Sequence, residues 1–233
     1  MNTHSATRRR NMLLLLPWLI LAGAVEASGL DGPRESGLSY EARLQSERLL
    51  PLVEGSQRDF NLESASLHLR ETVRGGLYGG LLGGLPSLRW RSEDSEDTVR
   101  VGGHLFGLSL GGRHPARSPL AMVWEGSYIW TEVGGSLGDG ELDLSLRESS
   151  ARLGVEWWPG TMGMTLGVAR QRVSGEEFRS DGDTTRSRSL GWRSDDHAFL
   201  ELGLDVGAGG WMSIRYLNRE PRGTTLLIFG QQF

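Results

Sequence analysis

Thr224-Thr225-Leu226-Leu227-Ile228-Phe229-Gly230-Gln231-Gln232-Phe233 is the stretch that decides the fold of this chain. Read with the period of two that a strand imposes, it sets Thr225, Leu227, Phe229 and Phe233 on one face and ends on an aromatic ring. A sheet in water gains little from a bare terminal Phe. A strand in a bilayer does gain, because lipid accepts the ring while the terminal carboxylate sits in water at the interface. The stretch therefore predicts the closing strand of a transmembrane β-barrel.

The opposite end of the chain points the same way. Residues 1–27 read as a secretory signal peptide: Arg8, Arg9 and Arg10 form a positive n-region, Met12 to Ala24 an apolar run, and Val25-Glu26-Ala27 a small-residue cleavage site. The run is ~13 residues against the roughly 20 that a spanning helix needs, which disfavours a retained anchor. Residues 28–233 then form one barrel domain. The chain has no Lys and no Cys, so disulfides, thiolate metal sites and thiol catalysis are excluded. The formal charge of the whole chain is -4, and residues 28–233 hold no basic stretch, which argues against nucleic acid as a partner.

Between the ends, period-two alternation recurs in segments split by polar, Gly-rich or Pro-containing punctuation. In 120–132, Leu120, Met122, Trp124, Gly126, Tyr128 and Trp130 share one face, and Ala121, Val123, Glu125, Ser127, Ile129 and Thr131 the other. Leu142, Leu144 and Leu146 alternate with Asp143, Ser145 and Arg147; Leu200, Leu202 and Leu204 alternate with Glu201, Gly203 and Asp205. In a membrane barrel the bulky face meets lipid, while Gly, Ser, Thr and paired charges point inward. The 34 glycines suit such a crowded lumen and its turns better than an ordinary packed core.

The fold class is thus all-β, an antiparallel transmembrane barrel. Both termini belong on one side, so the strand count is even. Strands are expected at 37–45, 60–70, 74–90, 97–111, 119–133, 141–157, 161–173, 197–206, 211–219 and 224–233, ten in all, with eight or twelve as alternatives. Residues 185–193 alternate as well, with Arg186, Arg188, Leu190 and Trp192, and are read as extending a neighbouring strand beyond the membrane. Short turns fall on the terminal side. Acidic or polar loops fall on the other, at 46–59, 92–97, 134–140 and 174–196. Trp124, Tyr128, Trp130, Trp157, Trp158 and Trp211 are the candidates for interfacial aromatic belts.

With these features in place, the chain resembles the small outer-membrane β-barrels of Gram-negative bacteria. The resemblance spans the mature length and rests on the signal peptide, the alternating strands and the Leu227-x-Phe229-x-Gln231-x-Phe233 ending, which departs from the family's pattern in having Gln at 231. It implies location in the outer membrane, contact with outer-membrane lipids and lipopolysaccharide, and handling by periplasmic chaperones and the barrel-assembly machinery. That machinery would read Phe233, Phe229 and Leu227 as an assembly signal. A closed barrel has no free edge, so a monomer is expected.

Catalysis finds little support in the sequence. Of five His, His4 leaves with the signal peptide, His68 and His104 lie in strands, and His114 in a turn. His197 beside Asp196 is the weak catalytic candidate, and adjacent strand residues face opposite ways. No His-Glu-x-x-His motif and no calcium loop occur, and Asp181-Gly182-Asp183 and Gly138-Asp139-Gly140 read as turns. No cofactor or metal is expected. Glu41, Arg43, Glu125, Arg147, Arg152, Glu156, Glu201 and Arg215 are candidates for a paired lumen network, since unpaired charges there are costly. The expected role is non-enzymatic: envelope structure, adhesion or ligand contact through acidic outer loops. The alternatives are a narrow pore and an outer-membrane protease or lipid-modifying enzyme.

Overall fold

The computed structural model describes residues 37–49, 60–73, 75–91, 98–116, 118–137, 140–181, 184–191, 194–218 and 223–233. The expected signal peptide, the loop segments 50–59 and 92–97, and Trp192 lie outside them. The described elements are β1 (Gly37–Leu49), β2 (Phe60–Thr72), β3 (Leu77–Arg91), β4 (Thr98–His114), β5 (Leu120–Leu137), β6 (Gly140–Trp157), β7 (Met162–Asp181), β8 (Thr184–Gly191), β9 (Asp195–Gly207), β10 (Gly210–Leu217) and β11 (Thr224–Gln232).

Each strand pairs antiparallel with the next around a closed ring. β1 meets β11 from Ser39↔Gln232 to Ser46↔Thr225, and β6 meets β7 from Gly140↔Asp181 to Trp157↔Met164. Ten strands make the barrel, and β8 stands outside it. The near part of β7, Met162 to Gln171, pairs with β9, and its far part, Ser174 to Asp181, pairs with β8. The predicted loop 174–196 is therefore largely a β-hairpin. The predicted loop 134–140 is absorbed in the same way, since β5 runs to Leu137 and β6 starts at Gly140. Alternation persists in these arms, and their N–H and C=O groups find ladder partners in the sheet instead of water.

The outward face of the terminal half of the barrel is continuously apolar. Leu69, Leu81, Leu108, Leu110, Met122, Trp124, Leu153, Val155, Leu166, Val168, Leu202, Met212, Ile214 and Leu227 are all exposed on it. At ~3.3 Å per residue and a tilt of roughly 40°, Leu120 to Trp130 covers about 25 Å of height, the thickness of an outer-membrane hydrocarbon band. Water would leave such a surface aggregating, and lipid makes it favourable.

The inward face changes character along the barrel. Near mid-height it is charged. At the end away from the termini it is apolar, with Leu88 fully buried and Val101, Leu105, Val133, Leu142, Leu144 and Leu146 each under a tenth exposed. This reverses the expected assignment of one segment: Leu142, Leu144 and Leu146 point inward, and Asp143, Ser145 and Arg147 point out. Beyond the apolar outward band the polar side chains take the outside and the bulky side becomes the core.

On the terminal side the turns are tight. Gly75 and Gly76 (φ 88° and 78°) and Gly207 and Gly209 (φ 84° and 76°) occupy the left-handed region that glycine tolerates. Arg113 clasps a third turn, donating from Nε to Glu156 Oε1 at 2.6 Å and from Nη2 to the Ser118 carbonyl at 2.7 Å.

Candidate functional site

The chemistry-bearing side chains converge on a belt inside the lumen. Inward positions on β1, β2, β5, β6, β9 and β10 supply Glu41 and Arg43, His68 and Arg70, Glu125, Arg152, Glu201, and Ser213 and Arg215. Glu41 takes Arg43 Nη2 at 2.7 Å and Arg70 Nη1 at 2.5 Å. Glu125 takes Arg70 Nη2 at 2.8 Å, Arg152 Nη2 at 3.0 Å and the Tyr78 hydroxyl at 2.5 Å. Glu201 takes Arg215 Nη2 at 2.6 Å, the Ser213 hydroxyl at 2.7 Å and Arg152 Nη1 at 3.6 Å. The result is one chain of alternating charge, Glu41–Arg70–Glu125–Arg152–Glu201–Arg215. Arg70 reaches past β3 and β4 to do this, and Arg152 reaches past β7.

Glycine gives this network its room. A Cβ at Gly80 would collide with His68 Nε2 and with Ser109 Oγ, and one at Gly111 would collide with the Tyr78 ring. The Gly-rich runs of β3 and β4 are the floor on which the His68 and Tyr78 rings lie. Arg70 also stacks over the Tyr78 ring, its Cζ 4.6 Å from the centroid.

His68 sits between a hydroxyl and a carboxylate: its Nε2 is 2.7 Å from Ser109 Oγ and its Nδ1 is 3.7 Å from Glu41 Oε2. The elements of a nucleophile–base–orienter array are present. The Arg70 contact favours the opposite proton arrangement. Arg70 Nε donates to His68 Nδ1 at 3.3 Å, and a guanidinium cannot accept, so the tautomer that fits this contact has its proton on Nε2 and donates to Ser109. In that tautomer the ring donates to the hydroxyl and does not take its proton. His68 is also fully buried, so the array is a link in the belt.

The weak catalytic candidates Asp196 and His197 face opposite ways, as adjacent strand residues do. Asp196 faces outward and is held bidentate by Arg170, at 2.6 Å to each carboxylate oxygen, while His197 faces inward and is buried. Of the expected lumen charges, Glu41, Arg43, Glu125, Arg152, Glu201 and Arg215 share the belt, Glu156 serves the Arg113 turn, and Arg147 points away from the lumen. His68, Arg70, Tyr78 and Ser109 were missed as members of the network. Their signal lay in the alternation of His68 and Arg70 with the outward Leu67 and Leu69.

The expected aromatic and terminal residues divide by face. Trp124, Tyr128, Trp130 and Trp157 lie on the outward face. The rings of Trp158 and Trp211 instead close over small inward positions, Trp158 over Gly163 and Gly203 and Trp211 over Gly230, at the terminal end of the lumen. Leu227 and Phe233 are outward and exposed, and Phe229 is outward and half-buried. Gln231, where the resembled pattern has an aromatic, faces Tyr40 across the β1–β11 seam and accepts its hydroxyl at 3.0 Å; Phe233 packs on the same Tyr40 ring, with centroids 5.6 Å apart.

No protein-family profile matches the sequence, and no curated protein matches it. Among solved structures the fold is similar to the translocator domain of autotransporter NalP from Neisseria meningitidis, with 14% identity, a TM-score of 0.48 and 95% of each chain covered. It is similar to the outer membrane protease OmpT from Escherichia coli at 8% identity and a TM-score of 0.44, covering 85% of this chain and 94% of that one. It is also similar to Ail, the attachment invasion locus protein of Yersinia pestis, at 14% identity and a TM-score of 0.40, covering 84% of this chain and 99% of that one. These likenesses are to the fold of outer-membrane β-barrels.

Proposed function

We propose that this chain is exported by its residues 1–27 to the outer membrane of a Gram-negative bacterium and works there as a closed, monomeric, non-enzymatic barrel. It would contribute to the envelope structurally and contact ligands or surfaces through the end that carries the β7–β8 hairpin. Insertion would be guided by periplasmic chaperones and the barrel-assembly machinery reading Leu227, Phe229 and Phe233.

The observation that carries this reading is the ion-paired belt. A ten-strand barrel encloses little more than side-chain packing room, and here that room is crossed by guanidinium–carboxylate pairs that join β1, β2, β5, β6, β9 and β10. Water-filled pores keep their charges on the wall. The apolar layer around Leu88, Val133 and Leu144 supports the same reading at the far end. The test is planar-bilayer recording of the pure folded protein. The expected result is a silent membrane, and reproducible unitary steps would overturn the closed-barrel reading.

A further inference from the structure

The outward rows across β5, β6 and β7 change abruptly in chemistry from one row to the next. Trp124, Leu153 and Val168 share an outward row, as do Met122, Val155 and Leu166, and both rows are wholly apolar. The next rows toward the far end read Gly126–Ala151–Arg170, then Tyr128–Ser149–Arg172, then Trp130–Arg147–Ser174. Three guanidiniums therefore stand within three successive rows at the far edge of the apolar band, the rows that carry its last outward aromatics, Tyr128 and Trp130, and all three are exposed and outward. Carboxylates resume one row farther out, at Glu132 and Glu176, and Glu132 lies 3.2 Å from His104 Nε2. Arg170 is engaged by Asp196. Arg147 and Arg172 are diagonal neighbours on adjacent strands, a separation of roughly 7–8 Å at most, with the hydroxyls of Ser149 and Ser174 between them.

We infer that Arg147 and Arg172, with Ser149 and Ser174, form a binding site for a phosphate group on a lipid headgroup, that of lipopolysaccharide in the outer leaflet. Two forked, permanently charged donors match the oxygens of a phosphomonoester, and hydroxyl donors complete the set. The height selects the source of the anion. A side chain at this level meets the polar edge of the bilayer, and the exposed Trp130 and Tyr128 rings beside it suit the acyl–headgroup boundary. Elsewhere at the rim, Arg89 is paired with Glu63 at 2.9 Å and Arg100 Nε is hydrogen-bonded to Ser87 Oγ at 2.8 Å.

The inference rests on the outer-membrane reading, because the far end of the barrel faces this leaflet only if the termini lie in the periplasm. Its test is separate from the conductance test. The full folded barrel in detergent micelles is titrated with fluorescently labelled diphosphorylated lipid A, then with the enzymatically dephosphorylated lipid, and binding is read by anisotropy. R147Q/R172Q should weaken binding of the phosphorylated lipid by about tenfold or more. R147K/R172K should lose less, and R100Q should match wild type. All variants are checked for the heat-modifiable gel shift, so that loss of fold is not read as loss of binding.

Equal binding of the two lipids by wild type, or unchanged binding by the double Gln variant, would overturn the site. Displacement of lipid by millimolar inorganic phosphate would overturn the commitment to a headgroup in favour of a free anion. A silent bilayer together with failed lipid binding would sink this inference and leave the closed-barrel reading intact.

Discussion

Glu125→Gln is the substitution that bears most directly on whether the lumen is filled. Glu125 is 7% exposed and receives Arg70, Arg152 and Tyr78, with Arg43 at 3.9 Å. The belt holds three carboxylates, Glu41, Glu125 and Glu201, against four guanidiniums, Arg43, Arg70, Arg152 and Arg215, so it already carries an excess of one positive charge. Gln keeps the shape and one acceptor oxygen but raises that excess to two. Breaking a buried ion pair from one side costs about 3–5 kcal/mol. Arg70 keeps Glu41 and Arg152 keeps Glu201, so the lower figure applies, about 3 kcal/mol. At a urea m-value of about 2 kcal/mol/M the unfolding midpoint should fall by about 1.5 M. The assay is equilibrium urea unfolding of the barrel refolded in detergent, followed by Trp fluorescence. Glu132→Gln, at the exposed rim, should leave the midpoint where it was. A fall below about 0.5 M for Glu125→Gln would place the pair in the range of solvent-exposed bridges. Water would then reach the belt, and the reasoning for a filled lumen would be refuted.

Other outcomes follow from the same geometry. Gly80→Val should push His68 off Ser109 and cost about 1–3 kcal/mol as an overpacking change, read by the same urea titration; a stability equal to wild type would mean the ring does not rest on that strand. Replacing residues 176–189 by a two-residue turn should leave the heat-modifiable mobility of the barrel intact, because β8 pairs with β7 alone and the deleted end of β7 otherwise pairs only with the far end of β6, Gly140 to Ser145. Loss of that mobility would make the hairpin part of the barrel's stability. Deleting Phe233 should lower the yield of folded protein in membranes far more than the stability of refolded protein, since one ring is worth only roughly 1.5–3 kcal/mol. Normal membrane yield would remove its proposed role as an assembly signal.

Much of this architecture was legible before any coordinates. Alternation of period two is a local property, so it located the ten barrel strands to within a few residues at most ends, and the even count followed from placing both termini on one side. It also picked out 185–193 as alternating but read it as the extension of a neighbouring strand, where the structure has a separate strand, β8, folded back on β7. The inward candidates Glu41, Glu125, Arg152, Glu201 and Arg215 came from the same pattern, because a strand whose one face is Leu and Met must put its charges on the other.

Periodicity names two faces, but the surroundings decide which one is the core. Along β6 the outward face changes from apolar to polar, so Leu153 and Val155 face out while Leu142, Leu144 and Leu146 face in, and Arg147 followed the reversal out of the lumen. Only closure of the barrel could show that. Closure also brings Arg70 to Glu125 and Arg152 to Glu201, contacts set by the stagger of strands around the ring and by the space that Gly80 and Gly111 leave open. The sequence by itself determined where the ten barrel strands run, because alternation is local to each strand. The tertiary structure decided which charges meet, because separation across a lumen depends on tilt and register, which no single strand contains.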